Sequence, residues 1–156
     1  MFLFFCLFLL HRFFTEEQQL RLGAGLAKNE HIIEFAAANA KIGERAGAAI
    51  AKGLTLNKSI GIVNLESNLL GGPGLEALAD LLLVNTTIKE LLINNQRTAI
   101  PSKAETKLAN AIEKNTSLQK LGYVCRDQAC RQKIDKFIFR NKDLARQARV
   151  AASKKK

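Results

Sequence analysis

The sequence has no tryptophan, a single tyrosine, two prolines and two histidines. With only His11 and His31 to draw on, no Ser/His/Asp or Cys/His constellation can be assembled, so the sequence offers no catalytic residues. Cysteine is scarce as well. Cys6, Cys125 and Cys130 form an odd, scattered set, and no second Cys or His pair gives them the spacing of a zinc site. They read as reduced thiols, and neither a metal nor a cofactor is expected. Long apolar runs are missing too, apart from the leader MFLFFCLFLL, whose ten residues fall short of the ~20 that a membrane-spanning helix needs. The leader, residues 1–14, also lacks the positive flank and small-residue cleavage site of a signal peptide. A signal, an anchor and a mis-called start stay open for it, and no stable membrane span is expected.

Charge of one sign is nearly absent from the last fifth of the chain. Residues 1–125 hold 13 Lys/Arg against 11 Asp/Glu, whereas residues 126–156 hold 11 against three (Asp127, Asp135 and Asp143). Of the net charge of +10, +8 therefore resides at the C-terminal end. A cationic end favours an anionic partner: nucleic acid, an acidic membrane surface or an acidic protein filament.

What the chain has is a repeat. Asn29, Asn57, Asn85 and Asn115 each stand three residues after an apolar helix position (Leu26, Leu54, Leu82, Ile112) and three before another apolar residue (Ile32, Ile60, Ile88, Leu118). Those last four are spaced 28, 28 and 30 apart. Leu-x-x-x-Leu-x-x-Asn puts two apolar residues on one helix face and ends the helix at a residue tolerant of left-handed geometry. The run that follows alternates, as a half-buried strand does: Ile60, Val63 and Leu65; Ile88, Leu91 and Ile93; Leu118 and Leu121. Strand, loop and helix at this period predict an α/β leucine-rich repeat solenoid, right-handed, with short parallel strands alternating with helices in repeats of ~28 residues and a C-terminal capping helix.

Gly71-Gly72-Pro73-Gly74 could be taken alone for a phosphate loop, but it lacks the P-loop lysine and the spacing of a dinucleotide fingerprint. Its place at the period of Gly43 makes it the turn between strand and helix. The expected organisation is a leader over 1–14, repeats over 15–125 (an incomplete first unit, then about three full ones), a basic capping helix over 126–149 and a basic tail over 150–156. Residues 15–28 read as a helix whose own strand is missing. Ile134, Phe137 and Ile138 form the stripe that closes the last repeat, with Phe139 in or beside it. Nucleic-acid recognition would need aromatics interleaved with the cations at the surface, so an acidic protein is favoured as partner. The Asn-x-Ser/Thr matches at Asn85 and Asn115 read as turn chemistry at a fixed place in the repeat.

Several phrases are more specific than a generic repeat. Val63-Asn64-Leu65-Glu66-Ser67-Asn68, Ile93-Asn94-Asn95-Gln96, Ile112 to Leu118 followed by Leu121-Gly122-Tyr123, and the ending Asn141 to Arg146 resemble the tropomodulin family, in order and at family spacing. The resemblance implies an actin-filament-binding module that caps the pointed end, without catalysis, in the cytoplasm and on the cytoskeleton. It also implies a surface made of strand-to-helix loops and the basic C-terminal helix: Asn68, Leu69, Asn95, Gln96 and Arg97, with Arg131, Lys136, Arg140, Lys142 and Arg146. The nucleating relative, leiomodin, continues into a proline-rich stretch, while the last proline here is Pro101, so the tropomodulin branch is expected. Tropomyosin belongs to the family's N-terminal half, which has no counterpart here, and is not expected to bind through this chain. The alternative is a basic leucine-rich scaffold for nucleic acid or an anionic membrane surface.

Overall fold

The structure, a computed structural model, describes residues 5–8, by backbone alone, and residues 14–154. The side chain of Cys6 and all of His11, Lys155 and Lys156 lie outside the described residues. Five strands, β1 (Phe5–Phe8), β2 (Ile32–Ala36), β3 (Ile62–Asn64), β4 (Glu90–Leu92) and β5 (Lys120–Gly122), form one parallel sheet in chain order. Between them run α1 (Glu16–Lys28), α2 (Glu44–Leu56), α3 (Gly71–Val84) and α4 (Ser102–Lys114), each packed on the next, and α5 (Gln128–Ser153) closes the series. This is the α/β leucine-rich solenoid.

β2 to β5 pair at the same register, so Phe35, Val63, Leu91 and Leu121 form one row. The first three are fully buried, while Leu121, next to the closing helix, is partly buried. Ile60, Ile88 and Leu118 form a second buried row and Leu65 and Ile93 a third. Ile60, Ile88 and Leu118 precede their strands by two residues, so they anchor the turn into the strand instead of starting it. A one-residue slip would send each strand's core row to the outer face, so burial fixes the register.

Two expectations change. The leader supplies β1, parallel to β2, so α1 does not lack its strand. The glycines at 71–74 are not a loop but the first turn of α3, with Pro73 where a missing N–H costs little. Only Gly71 takes a positive φ (56°), and a Cβ there would run into the Glu44 carboxyl. Gly23 and Gly53 let α1 and α2 touch, since a Cβ at Gly53 would meet the Gly23 carbonyl.

Candidate surface for a partner

The asparagines do not act through left-handed backbone. Asn57 (φ −73°, ψ 138°) and Asn85 (φ −86°, ψ 125°) are extended, as are Asn29 and Asn115. The side chains of Asn57, Asn85 and Asn115 instead each staple two repeats, while that of Asn29 accepts from the N–H groups of His31 and Ile32 within its own. The Asn85 amide donates to the Leu54 and Asn57 carbonyls (2.9 and 3.0 Å), and its oxygen accepts from the N–H groups of Thr87 and Ile88. Asn57 and Asn115 repeat the pattern one rung earlier and one later. The ladder runs along the edge where helices end and strands begin, and it ties up both amides that match a glycosylation acceptor.

At the opposite edge, where strands lead into helices, the left-handed residues recur at the repeat period: Asn39 (54°), Ser67 (57°) and Asn95 (56°). Asn68, expected to face a partner, is wholly buried there. Its oxygen accepts from the N–H groups of Ala40 and Ile42, and its amide donates to the carbonyls of Ala37, Leu65 and Glu66. Asn68 therefore holds the loop's shape and presents nothing outward, because every donor and acceptor it has is spent inside. Gln96 does the same work one repeat on, donating to Leu65, Ile93 and Asn94 and accepting from the N–H of Leu70. What this edge does present is Asn95, the half-buried Leu69, and Arg97, whose guanidinium reaches Asn39 at 2.8 Å, two repeats away.

The last unit closes differently. Buried Glu105 of α4 accepts from the Tyr123 hydroxyl (2.7 Å) and from the N–H of Arg126 (3.1 Å), which fixes the chain between β5 and α5. Burial, with the Glu105 carboxylate second, pushes the Tyr123 phenol well above its ordinary range. Burial likewise pushes the Cys125 thiol up to about 12 and raises Cys130, so both resist forming thiolates. Neither is in a disulfide. The Asp127 side chain caps α5 by accepting from the Cys130 N–H at 2.8 Å, and that hydrogen bond holds its carboxyl below the usual range.

α5 starts at Gln128 and runs to Ser153, past the end expected for it. Its first half is a lid, with Ile134 buried and Phe137 and Ile138 packed on the core. Asn141, also buried, donates to the carbonyls of Asn115 and Leu118 and so adds a rung to the asparagine ladder from the lid helix. Arg140, expected on the partner surface, is a structural residue. Its guanidinium donates to the Glu113 and Asn115 carbonyls at the end of α4 and stacks 4.7 Å from the Phe137 ring.

Beyond Asn141 the helix leaves the body, and here the side chains are open. Lys142 and Arg146 are exposed, Arg146 pairing with Asp143 at 2.8 Å. Phe139 is not in the packing stripe: it is 75% exposed and lies beside Lys142 and Arg146. Lys136 is exposed, 5.5 Å from the Phe137 ring, and Arg131 donates to the Cys125 carbonyl while remaining exposed. The expected surface thus splits in two. Leu69, Asn95, Arg97 and Arg131 belong to the strand-to-helix edge. Lys142 and Arg146 stand past the opposite edge, because fifteen helical residues from Arg131 to Arg146 span about 22 Å. Among the described residues no helix is long and apolar enough to cross a membrane, and no group of His, Cys, Asp or Glu could hold a metal ion.

A family model described as the TMOD/LMOD leucine-rich domain matches residues 12–144. Leiomodin-1 of Rattus norvegicus is 36% identical over 140 residues, 90% of this chain and 24% of its own. Leiomodin-3 of Homo sapiens is 34% identical over 132 residues, 85% of this chain and 24% of its own. The chain thus spans about a quarter of the length of these curated relatives. Among solved structures, actin-binding site 2 of leiomodin-1 superposes with a TM-score of 0.86 at 34% identity, covering 91% of this chain and 82% of that one. The tropomodulin C-terminal domain of Caenorhabditis elegans superposes at 0.82 with 25% identity, covering 88% and 83%. Both branches of the family are represented, so the C-terminal ending does not separate them.

Proposed function

The chain belongs to the tropomodulin/leiomodin family of leucine-rich domains, and from that premise we propose that it is an actin-filament-binding module that acts at the pointed end. It works by surface complementarity and not by chemistry, as part of the cytoskeleton. The observation that carries the reading is the outer half of α5, which stands clear of the last repeat with Lys142 and Arg146 exposed. Residues 142–156 hold Lys142, Arg146, Arg149 and Lys154-Lys155-Lys156 against Asp143 alone, a charge suited to an acidic filament. The exposed Asn95 and Arg97, with Leu69, Arg131 and Lys136, supply the rest of the contact area. A standard interface needs roughly 800 Å² per partner, and two separated edges can supply that only if both engage. Pointed-end capping rests on the family resemblance of the loop phrases. Tropomyosin binding is a property of longer family members and is not assigned to this chain.

Elongation of pyrene-labelled actin from free pointed ends tests the reading. The intact chain should slow elongation, and a chain ending at Asn141 should slow it much less. Asn141 is the right end because stopping at Arg126 would strip Ile134, Phe137 and Ile138 from the core. If the intact chain has no effect at high micromolar concentration, the proposal fails. Phe139, exposed beside two cations, is the feature that suits the rival, a basic scaffold for nucleic acid or an anionic membrane. Co-sedimentation with duplex DNA and with acidic vesicles in the same buffer separates the two.

A further inference from the structure

The last residues of the four repeat helices form a series: Lys28, Leu56, Val84 and Lys114. A helix end carries partial negative charge on its free carbonyls, so lysine is the favoured residue there, as in the outer two. The inner two break that preference with large apolar side chains that are 67% and 57% exposed. Leu83 extends the patch at 47% exposed. The residue that follows each of these helix ends is an asparagine of the ladder. The bonds from Asn57 to Asn29, from Asn85 to Asn57 and from Asn115 to Asn85 hold the four helix ends in register. Leu56 and Val84 thus lie about one helix spacing apart, 8–10 Å. Single exposed leucines are ordinary, but two at the same repeat position, side by side, form a surface.

Its surroundings are cationic. Lys52 lines the groove that holds Leu56, and the exposed Lys58 follows Asn57. Lys114 lines the groove that holds Leu83, which runs along α4 past Lys107 to Lys103 at that helix's other end. The acids at this edge are Glu30 and Glu113, and Glu113 is already bound to Lys133 at 2.5 Å. Lys107 is likewise shared with Asp80 at 2.8 Å, so the outer lysines carry the excess.

We propose that this helix-end edge is a second docking surface, which takes an acidic amphipathic helix of a partner protein laid across α1 to α4. Two apolar residues seven apart on such a helix are about 10.5 Å apart, which matches the spacing of Leu56 and Val84. Carboxylates on the flanking turns would then meet Lys28 at one end and Lys114 at the other. The surface lies opposite the loop part of the actin surface and borders the outer half of α5 only at its α4 end, so the loop contact is the one separable from it.

The probe is a fluorescein-labelled helical peptide with two leucines seven apart and glutamates on both flanks, titrated against the full chain by anisotropy at low salt. Saturable binding is expected, weakened about tenfold by Leu56→Gln with Val84→Gln and less strongly by Lys28→Glu with Lys114→Glu. Arg97→Glu, at the opposite edge, should leave it unchanged. Both polar substitutions fall on exposed positions, and an unchanged melting temperature checks that the fold is intact. Failure of the wild-type chain to bind, or equal binding by the Leu56/Val84 variant, overturns the proposal. So does capture by phosphatidylserine vesicles that depends on Leu56 and Val84 while the peptide does not bind, since the occupant would then be a lipid surface. Loss of actin co-sedimentation in the Leu56/Val84 variant would also overturn it, by merging the two surfaces.

Discussion

Asn85 shows how much one side chain holds in this architecture. It satisfies two carbonyls at the ends of one repeat and two N–H groups at the start of the next strand, all from a site 1% exposed. Replacement by alanine removes the side-chain partner of the Asn57 carbonyl and of the Thr87 and Ile88 N–H groups, while the Leu54 carbonyl keeps the Asn57 N–H. The expected cost of Asn85→Ala is about 3 kcal/mol, a large share of a domain's total stability, read from the urea midpoint. Asn85→Asp is the sharper test. Aspartate caps and turns as well as asparagine does, so it would rescue a helix-stop role. It would also turn an acceptor toward the Leu54 and Asn57 carbonyls and bury a charge, so it should be at least as damaging as alanine. The period of the asparagines was legible in the sequence, but their reason was not. Nothing local in Leu-x-x-Asn says that the amide reaches back to the previous repeat. Asn68 shows the same limit, since a polar residue in a predicted loop reads as surface until its five hydrogen bonds are seen.

Among the elements, the regular repeats were the most legible and the two ends the least. Repeats declare themselves because each buries the same face against its neighbour, so position after position must recur. An end has only one neighbour and solves its closure once. At the start, the apolar leader left a signal, an anchor and a mis-called start open because nothing in ten apolar residues marks them as a strand, yet Phe5–Phe8 pairs with β2. At the finish, α5 closes the solenoid through Asn141 and Arg140, which no period announces. Glu105 is the third such device: it takes over in the last unit the loop-fastening done by Asn68 and Gln96 before it. Because Tyr123 is the single tyrosine, absorbance at 295 nm reads this junction alone. Its folded pKa is raised, so its contribution to stability is complete below the unfolded value of about 10 and is lost as pH rises through the folded value. The phenol of the folded chain should titrate clearly above pH 10 and return to about 10 in urea. Glu105→Gln should shrink the shift but not abolish it, because burial is the larger cause. A folded midpoint at the urea value would mean that Tyr123 is neither buried nor bonded to Glu105 in solution.

For the molecule as a whole, geometry separates charges that the sequence puts in one list. Arg97 sits at the strand-to-helix edge, while Lys142 and Arg146 stand on a helix that has left the body at the other. In salt solution at 0.1 M, charges more than about 10 Å apart scarcely feel each other, so these two groups should act independently on a filament that contacts both. Arg97→Glu and the pair Lys142→Glu with Arg146→Glu should each weaken actin co-sedimentation. Their combined effect in free energy should be the sum of the two within about 0.5 kcal/mol. Raising the salt should shrink both effects together, because all three side chains are exposed. If the combined variant were no weaker than one of its parents, a single edge would carry all the binding. The other edge would then be free for a different partner.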